Sequence, residues 1–444
     1  MKVIVIGGQI AGSTFAVEFK KNNPDDEVIL INKNIDISYI TSALRYLLEK
    51  DINKEDIILY DEEYLKSLGI NLYPKSEVIA VNPKDKEIKI IKGDSGSVNV
   101  LSYDKLVIAS GCNNIKLPVF ENKGENIFIF KNIVNVLRLK KYIKDKNPKK
   151  ALIVGGGPTG IEIIDSLKKL NIDVDVCEKE ELIPQFDPMF SKYLEDLLKE
   201  NNVNTIYGEV EEVKSSKSLT VKIDESMHKY DFAIISVGLI PNSTYMQNTD
   251  LKMTENGYIF VKDNFETNLK DIYAIGDIAI VKTKGLEEYI LPKLASSAKK
   301  QAIFLANNLK EGKKTYTGTN SPMIINFQDK YFGKIGINAV QAQENNIDFV
   351  DINLKFNLKE KYIDQKDNIL VLKAVFDTNL KFLGIELYGD QSVEVLMSYF
   401  TAALKKEFLA RDFLNEEIAY TPNNIYLGDV INKLGKEAIK KLED

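Results

Sequence analysis

Gly155, Gly157 and Gly160 stand at G-x-G-x-x-G spacing, and the chemistry such glycines do is that of bare backbone. The first permits a tight turn, the second lets a pyrophosphate approach the main chain, and the third lets helix and strand pack closely. The neighbours fit that use. Ala151 to Val154 read as a short buried strand, and Ile161, Ile163, Ile164 and Leu167 give an amphipathic helix opened by Pro158 and Thr159. The helix N-terminus offers unpaired N–H groups and a positive dipole end to phosphates. A second strand, Asp173 to Cys177, runs into Glu178. A carboxylate there accepts hydrogen bonds from both hydroxyls of an adenosine ribose and repels a 2′-phosphate. A lone glycine motif says little, but strand, glycines, helix, strand and acid in this order predict a dinucleotide site.

The chain begins with a second, weaker version of the same pattern. Lys2 to Ile6 is a strand, and Gly7-Gly8-Gln9-Ile10-Ala11-Gly12 turns into a helix running to about Asn22. Gln9 takes the middle glycine's place. The strand Glu27 to Ile31 ends in Asn32, where an acid is usual. A neutral amide still hydrogen-bonds ribose hydroxyls, more weakly than a carboxylate does.

These turns need sheets to hold them. Tyr103 to Gly111 reads as a buried strand closing on Ala109, Ser110 and Gly111, and Tyr230 to Gly238 repeats it, with Val237-Gly238 followed by Pro241-Asn242. The two runs end two nucleotide-binding units, so the chain carries a diverged internal duplication. Residues 35–70 read as helices with a polar link from Asp51 to Asp56, and residues 71–108 as strands with turns at Asn82-Pro83 and Gly93-Asp94. Phe265 to Ala279 holds a short buried strand ending in Gly276-Asp277. That acid can face a ligand's hydroxyls or cap a helix, and both roles are compatible. Leu294 and Ala295 begin a helix of small residues. From Thr319 onward the alternation at Met323–Phe327, Ile369–Val375 and Gly384–Leu387 predicts an antiparallel sheet, with a helix from Val393 to Phe408. No chemical constellation appears there, which leaves an interaction or dimerisation domain.

Composition excludes several classes. The 444 residues are 44% hydrophobic and 28% charged, as in an ordinary globular protein of two to four domains. A net charge of −6 gives no electrostatic reason to expect nucleic acid or an anionic membrane. No apolar run is long enough to span a bilayer, and a strand begins at once, with no signal peptide ahead of it. Two cysteines, Cys112 and Cys177, make neither a disulfide framework nor a zinc site, and fit a reducing cytoplasm. The single histidine, His228, lies in a polar stretch ahead of a strand and reads as a surface residue. No metal site is expected.

Together these residues resemble the flavin-dependent pyridine nucleotide-disulfide oxidoreductases, in the branch of NADH oxidases, NADH peroxidases and coenzyme A-disulfide reductases. The resemblance spans the chain. It rests on the N-terminal glycine turn, Ala109–Gly111, Gly155–Glu162, Val237-Gly238 with Pro241-Asn242, and Tyr273–Ala279. It implies an α/β protein with two Rossmann-like three-layer domains, one for FAD (1–115 and 245–318) and one for NAD(P)H (116–244). A C-terminal α+β interface domain (319–444) would join a homodimer, with the tail around Tyr420-Thr421-Pro422 reaching the partner's site. The implied FAD site holds Gly7, Gly8, Ile10, Ala11, Gly12, Asn32, Lys33, Ser42, Val78, Ala109, Ser110, Gly111, Gly276, Asp277, Leu294 and Ala295, with Asp277 on the ribityl chain. The implied NADH site holds Gly155, Gly157, Pro158, Thr159, Gly160, Ile161, Glu162, Glu178, Val237 and Gly238, with Glu162 on the nicotinamide side. NADH is expected over NADPH.

The chain departs from that family at its redox cysteine. The family's Ile-Ser-Phe-x-x-Cys-Gly-like run is matched by Ile37-Ser38-Tyr39-Ile40-Thr41-Ser42-Ala43, with Ser42 in the cysteine's place. Ile10 stands where peroxidases and some oxidases carry histidine. A serine hydroxyl has no accessible redox chemistry and is a poor nucleophile without a base. Cys177 ends a core strand and reads as inert packing. Cys112 follows the Ala-Ser-Gly run, near the expected flavin. Three readings compete: an FAD-dependent NADH oxidase or diaphorase passing electrons to oxygen or a small acceptor, a coenzyme A-disulfide reductase-like enzyme using another thiol, and a non-catalytic NADH-sensing flavoprotein.

Overall fold

A computed structural model describes residues 1–283, 289–358, 368–418 and 427–443. The chain divides into two compact units, one of Met1–Lys116, Ile129–Asn147 and Gly238–Thr319, the other of Leu117–Phe128, Pro148–Val237 and Asn320–Asp444.

The first unit is built on a five-stranded parallel sheet. Its order is Ile272–Ala274, Lys105–Ile108, Lys2–Ile6, Glu27–Ile31, Ile70–Tyr73. These strands read as unbroken apolar runs because both faces are covered: Val3, Ile4, Val5, Leu106, Val107 and Ile108 have no exposed surface. The helix Ile10–Asn22 lies against the helix Ala295–Asn308, and both contribute to one core with Phe15, Phe19, Ala302 and Leu305. An antiparallel sheet of Ser76–Asn82, Glu87–Lys92 and Val98–Ser102 adds a second core around Val78, Ile88 and Ile90. Residues 35–70 are less helical than their sequence suggests. Two short helices, Leu44–Glu49 and Glu62–Ser67, are joined through a single turn, Lys54–Ile57, which Asn53 and Asp56 cap reciprocally. The helix Ile133–Lys146 docks on this region, with Lys140 Nζ donating to the carbonyls of Leu47 (2.9 Å) and Lys50 (2.6 Å).

The second unit repeats the plan. Asn204–Tyr207, Asp173–Glu178, Lys150–Val154 and Phe232–Ile235 form a parallel sheet, with Ile127–Ile129 at its edge. The helix Pro158–Lys169 follows the glycine turn and buries Ile161, Ile163, Ile164 and Leu167 completely. His228 lies inside the strand Ser226–Tyr230, not ahead of a strand as its sequence setting suggests. It is half-buried, and its ring stacks 6.3 Å from that of Tyr230. The polar residues Ser226, His228 and Lys229 hide this strand from a hydropathy reading.

The same unit holds an antiparallel sheet in the order Met323–Phe327, Lys330–Gly336, Phe382–Gly389, Ile369–Asp377, Phe349–Asn357. The helix Ser392–Lys405 covers it through Val393, Leu396, Met397 and Phe400. Buried charge ties this sheet to the glycine-turn half. Glu386 accepts from Asp187 N at 3.1 Å and from Asn338 Nδ2 at 3.1 Å, and pairs with Lys334 at 3.1 Å. Lys373 pairs with Asp187 at 2.6 Å. Breaking one partner of such a buried pair strands the other charge, which costs about 3–5 kcal/mol. Tyr420-Thr421-Pro422 lie outside the described residues.

Candidate functional site

Each unit carries one glycine turn, and the two are built alike. Gly7 has φ +105° and Gly155 φ +106°. A Cβ on Gly7 would stand 2.2 Å from the Ala109 carbonyl oxygen, and one on Gly155 2.4 Å from that of Ser236. A Cβ on Gly12 would stand 1.8 Å from Gly7 O, and one on Gly160 2.0 Å from Gly155 O. None of these four distances is possible, so the first and third glycines are fixed by the chain's own crossing of strand and helix. The middle position differs. A Cβ on Gly157 would meet nothing within 4 Å, so that glycine serves no packing and leaves room for a ligand against the backbone.

The strand ends are matched too. Gly8 N donates to Asn32 Oδ1 at 3.1 Å, and Gly156 N donates to Glu178 Oε2 at 2.6 Å. In each half the chain then returns to the same glycine: Ser38 N donates to Gly8 O at 2.8 Å and Ile183 N to Gly156 O at 3.0 Å. Both returning residues have positive φ, +57° at Ser38 and +42° at Ile183. A β-branched residue in that region is strained. Nothing in either residue type signals this return, and sequence reasoning missed it.

Around the first turn the structure gathers several of the residues singled out above. Gly276 has φ +79°, and a Cβ there would approach Ala11 Cβ to 3.0 Å. The Gly276-Asp277 turn therefore sits beside the N-terminus of the helix Ile10–Asn22. Gln301, fully buried, holds this turn by accepting from Gly276 N at 2.7 Å. Burial raises the Asp277 carboxyl above its ordinary pKa, opposed by Lys131 and Lys293. Ala109, Ser110 and Gly111 are stitched to Asn242. Ser110 Oγ donates to Asn242 O at 2.8 Å, Asn242 Nδ2 donates to Ser110 O at 2.8 Å, and Asn242 N donates to Gly111 O at 2.9 Å. Two runs that read as separate repeat ends thus meet in one unit. Leu294 and Ala295 are half-buried at the start of the helix Ala295–Asn308. Ile10 is buried in the first helical turn.

Other members of the expected set are placed differently from the simplest reading. Asn32 is buried, and its amide donors go to Asn34 O (2.8 Å) and Asp36 O (3.0 Å). Its first task is to hold the following loop. Lys33 is exposed and pairs with Glu77 at 2.7 Å. Val78 belongs to the core. Ser42 is exposed, in the single turn Thr41–Ala43 ahead of the helix Leu44–Glu49.

In the second unit Glu178 is half-buried at its strand end. Its Oε1 accepts from Lys179 N at 2.7 Å while Oε2 takes Gly156 N. A carboxylate offers about four lone-pair sites, so two remain for a diol. Pro158 and Thr159 form the first turn of the following helix, with Gly157 before it, and Glu162 lies half-buried one turn on. Val237 follows the Ser236 carbonyl that crosses Gly155, and Gly238, φ +111°, receives Ile115 N at 3.0 Å in the first unit.

Both cysteines are unpaired and buried. Cys112 Sγ donates to the Asp277 carbonyl at 3.3 Å, and burial pushes its pKa up to about 11. Cys177 Sγ donates to Gly208 O at 3.4 Å, and burial pushes its pKa up to about 12. Neither environment favours a thiolate, the form that reacts. Among the described residues no group of three or more His, Cys, Asp or Glu is placed to hold a metal, and no helix is long and apolar enough to cross a membrane.

The residues present fit dinucleotides at both turns. Each has a helix N-terminus and a strand-end acceptor, and space lies above Gly157 and Gly111, where an added Cβ would meet nothing. Residues 1–302 match the profile of the pyridine nucleotide-disulphide oxidoreductases, and the chain belongs to that family. It is 26% identical to an NADH oxidase of Methanocaldococcus jannaschii, over the full length of both chains. It is 25% identical to a coenzyme A disulfide reductase of Staphylococcus haemolyticus, over 98% of this chain and 99% of that one. Among solved structures it resembles the water-forming NADH oxidase of Lactobacillus brevis bound to NADH, with a TM-score of 0.92 and 24% identity, over 100% of this chain and 99% of that one. The mixed α/β architecture is that of this family.

Proposed function

We propose that this chain is an FAD-dependent NADH oxidase that works without a redox thiol and reduces oxygen to hydrogen peroxide. The support is the pairing of two dinucleotide turns with an exposed Ser42 where the resembling family carries cysteine, while Cys112 and Cys177 are buried thiols. FAD is assigned to the Gly7–Gly12 turn with Asp277 on its ribityl chain, and NADH to the Gly155–Gly160 turn with Glu178 on its ribose. Bound flavin would supply the only electron store, one pair, for the balance NADH + H⁺ + O₂ → NAD⁺ + H₂O₂. The chain's own part is to bind and orient. The glycine turns admit the pyrophosphates, the helix N-termini face them, and Gln301 fixes the turn that presents Asp277. Glu162 is placed on the helix that leaves the NADH turn.

A disulfide reductase reading is favoured by the named relative from Staphylococcus haemolyticus, but it needs a thiolate. With burial holding its pKa up at about 11, Cys112 is almost entirely protonated at neutral pH. An anaerobic NADH titration followed by its spectrum tests the proposal. It should take up two electrons per FAD, and in air each NADH should yield one peroxide. Uptake of four electrons, or water as the product, would overturn it. A flavin that NADH does not reduce would point to a non-catalytic sensor.

A further inference from the structure

Two carboxamides converge beyond the end of the strand Glu27–Ile31. Asn32 Nδ2 donates to Asp36 O at 3.0 Å, and Gln9 Nε2 donates to the same carbonyl at 3.0 Å. Asn32 gives its second N–H to Asn34 O. Two main-chain carbonyls thus point at the place where the second turn keeps Glu178. A carboxylate has no proton to offer them, and an amide does. That accounts for asparagine here, and it also removes most of this residue's capacity for a ligand. Gly8 N already occupies one of the two lone pairs on Asn32 Oδ1.

The acceptor left over belongs to Gln9. Because a carbonyl takes only a donor, Nε2 must face Asp36, and Oε1 faces away from it. That oxygen is closed off from water and has no hydrogen-bond partner among the described residues. An unmade bond of this kind costs stability unless something supplies a donor. Gln9 is half-buried as a residue, and with Oε1 itself covered a ligand hydroxyl reaches it once the side chains over the turn shift on binding. Its backbone stands at the pyrophosphate position, before the first helical turn, and its side chain runs from there to the strand end. In the second turn Glu178 spans the same two places from the other side, through Gly156 N.

The geometry points to Gln9 Oε1 as the acceptor for an adenosine ribose hydroxyl of the dinucleotide held by the first turn, the task that a strand-end acid performs in the second. This rests on the assignment of FAD to the first turn. The acceptor is neutral, and it comes from the glycine motif's middle position, not from the strand.

The test is a binding cycle on flavin-stripped protein, using FAD, FAD lacking the adenosine 2′-hydroxyl, FAD lacking the 3′-hydroxyl, and FMN. Wild type should bind FAD more tightly than one of the deoxy analogues by about tenfold, the scale of one neutral hydrogen bond. In Gln9→Met and Gln9→Gly that penalty should fall to about twofold or less. The penalty is a ratio within each variant, so a general loss of folding or turn geometry cancels from it. An undiminished penalty in both variants, or no penalty in wild type, overturns the assignment to Gln9 while FAD binding stands. If wild type binds neither FAD nor its analogues, the FAD assignment itself fails and takes this one with it.

Discussion

Glu178 should make the second turn prefer NADH. The carboxylate is pinned on both oxygens, by Gly156 N at 2.6 Å and Lys179 N at 2.7 Å. A ribose diol takes the remaining lone pairs without moving it. A 2′-phosphate at about 4 Å meets a like charge, costing on the order of 4 kcal/mol at an effective dielectric near 20. Swinging the carboxylate away instead breaks two charge-assisted bonds of about 1.5–3 kcal/mol each. Neither escape is cheap. Lys179 softens the repulsion only by leaving Glu209, its partner at 3.2 Å in an exposed pair that is worth about 0–1 kcal/mol. After that relief, roughly 1.4–3 kcal/mol of discrimination remains, or about ten- to hundredfold in kcat/KM. Initial rates with both nucleotides measure it. In Glu178→Ala the ratio should fall to within about threefold, chiefly through a higher KM for NADH. Equal kcat/KM in wild type, or an unchanged ratio in the variant, would refute the role of Glu178.

Asp277→Ala should lose most of its yellow colour on purification, and full flavin retention would misplace the ribityl site. Gly160→Ala puts a methyl where the Cβ position lies 2.0 Å from Gly155 O; it should abolish NADH binding or cost several kcal/mol in thermal unfolding, and a wild-type melt with wild-type KM would contradict the crossing. Alkylation at pH 7.5 should leave NADH oxidation nearly unchanged, since burial holds the Cys112 pKa up at about 11; loss of activity on modifying Cys112 would show that thiol at work. The chain should be a homodimer through residues 319–444, and a single-chain mass by light scattering at micromolar concentration would exclude it.

The glycine turns were legible because backbone collisions leave no other residue type possible at Gly7, Gly12, Gly155 and Gly160. The apolar strands were legible because both faces of each parallel sheet are covered. What was not legible depends on where a side chain's hydrogen bonds go. Asn32 reads as a weak ribose ligand, yet its donors are committed to Asn34 and Asp36. The returns of Ser38 and Ile183 to the glycines, and the stitching of Ser110 to Asn242, join residues by backbone groups that every sequence contains. No residue type marks them in advance.

The order of strands in the first sheet sets a schedule for making this protein. Lys105–Ile108 takes its second neighbour, Ile272–Ala274, from roughly 160 residues further along the chain, which at about 5–20 residues per second is on the order of 10 s of synthesis. Through that interval Leu106, Val107 and Ile108, all fully buried in the finished sheet, form an apolar edge without a neighbour, and such an edge is a template for pairing with other chains. The turn carrying Asp277 emerges after that strand. On the ribosome, then, the second glycine turn is complete before the first, and a flavin held at the first turn as proposed can add nothing to the stability of the N-terminal segment until more than half of the protein has been made.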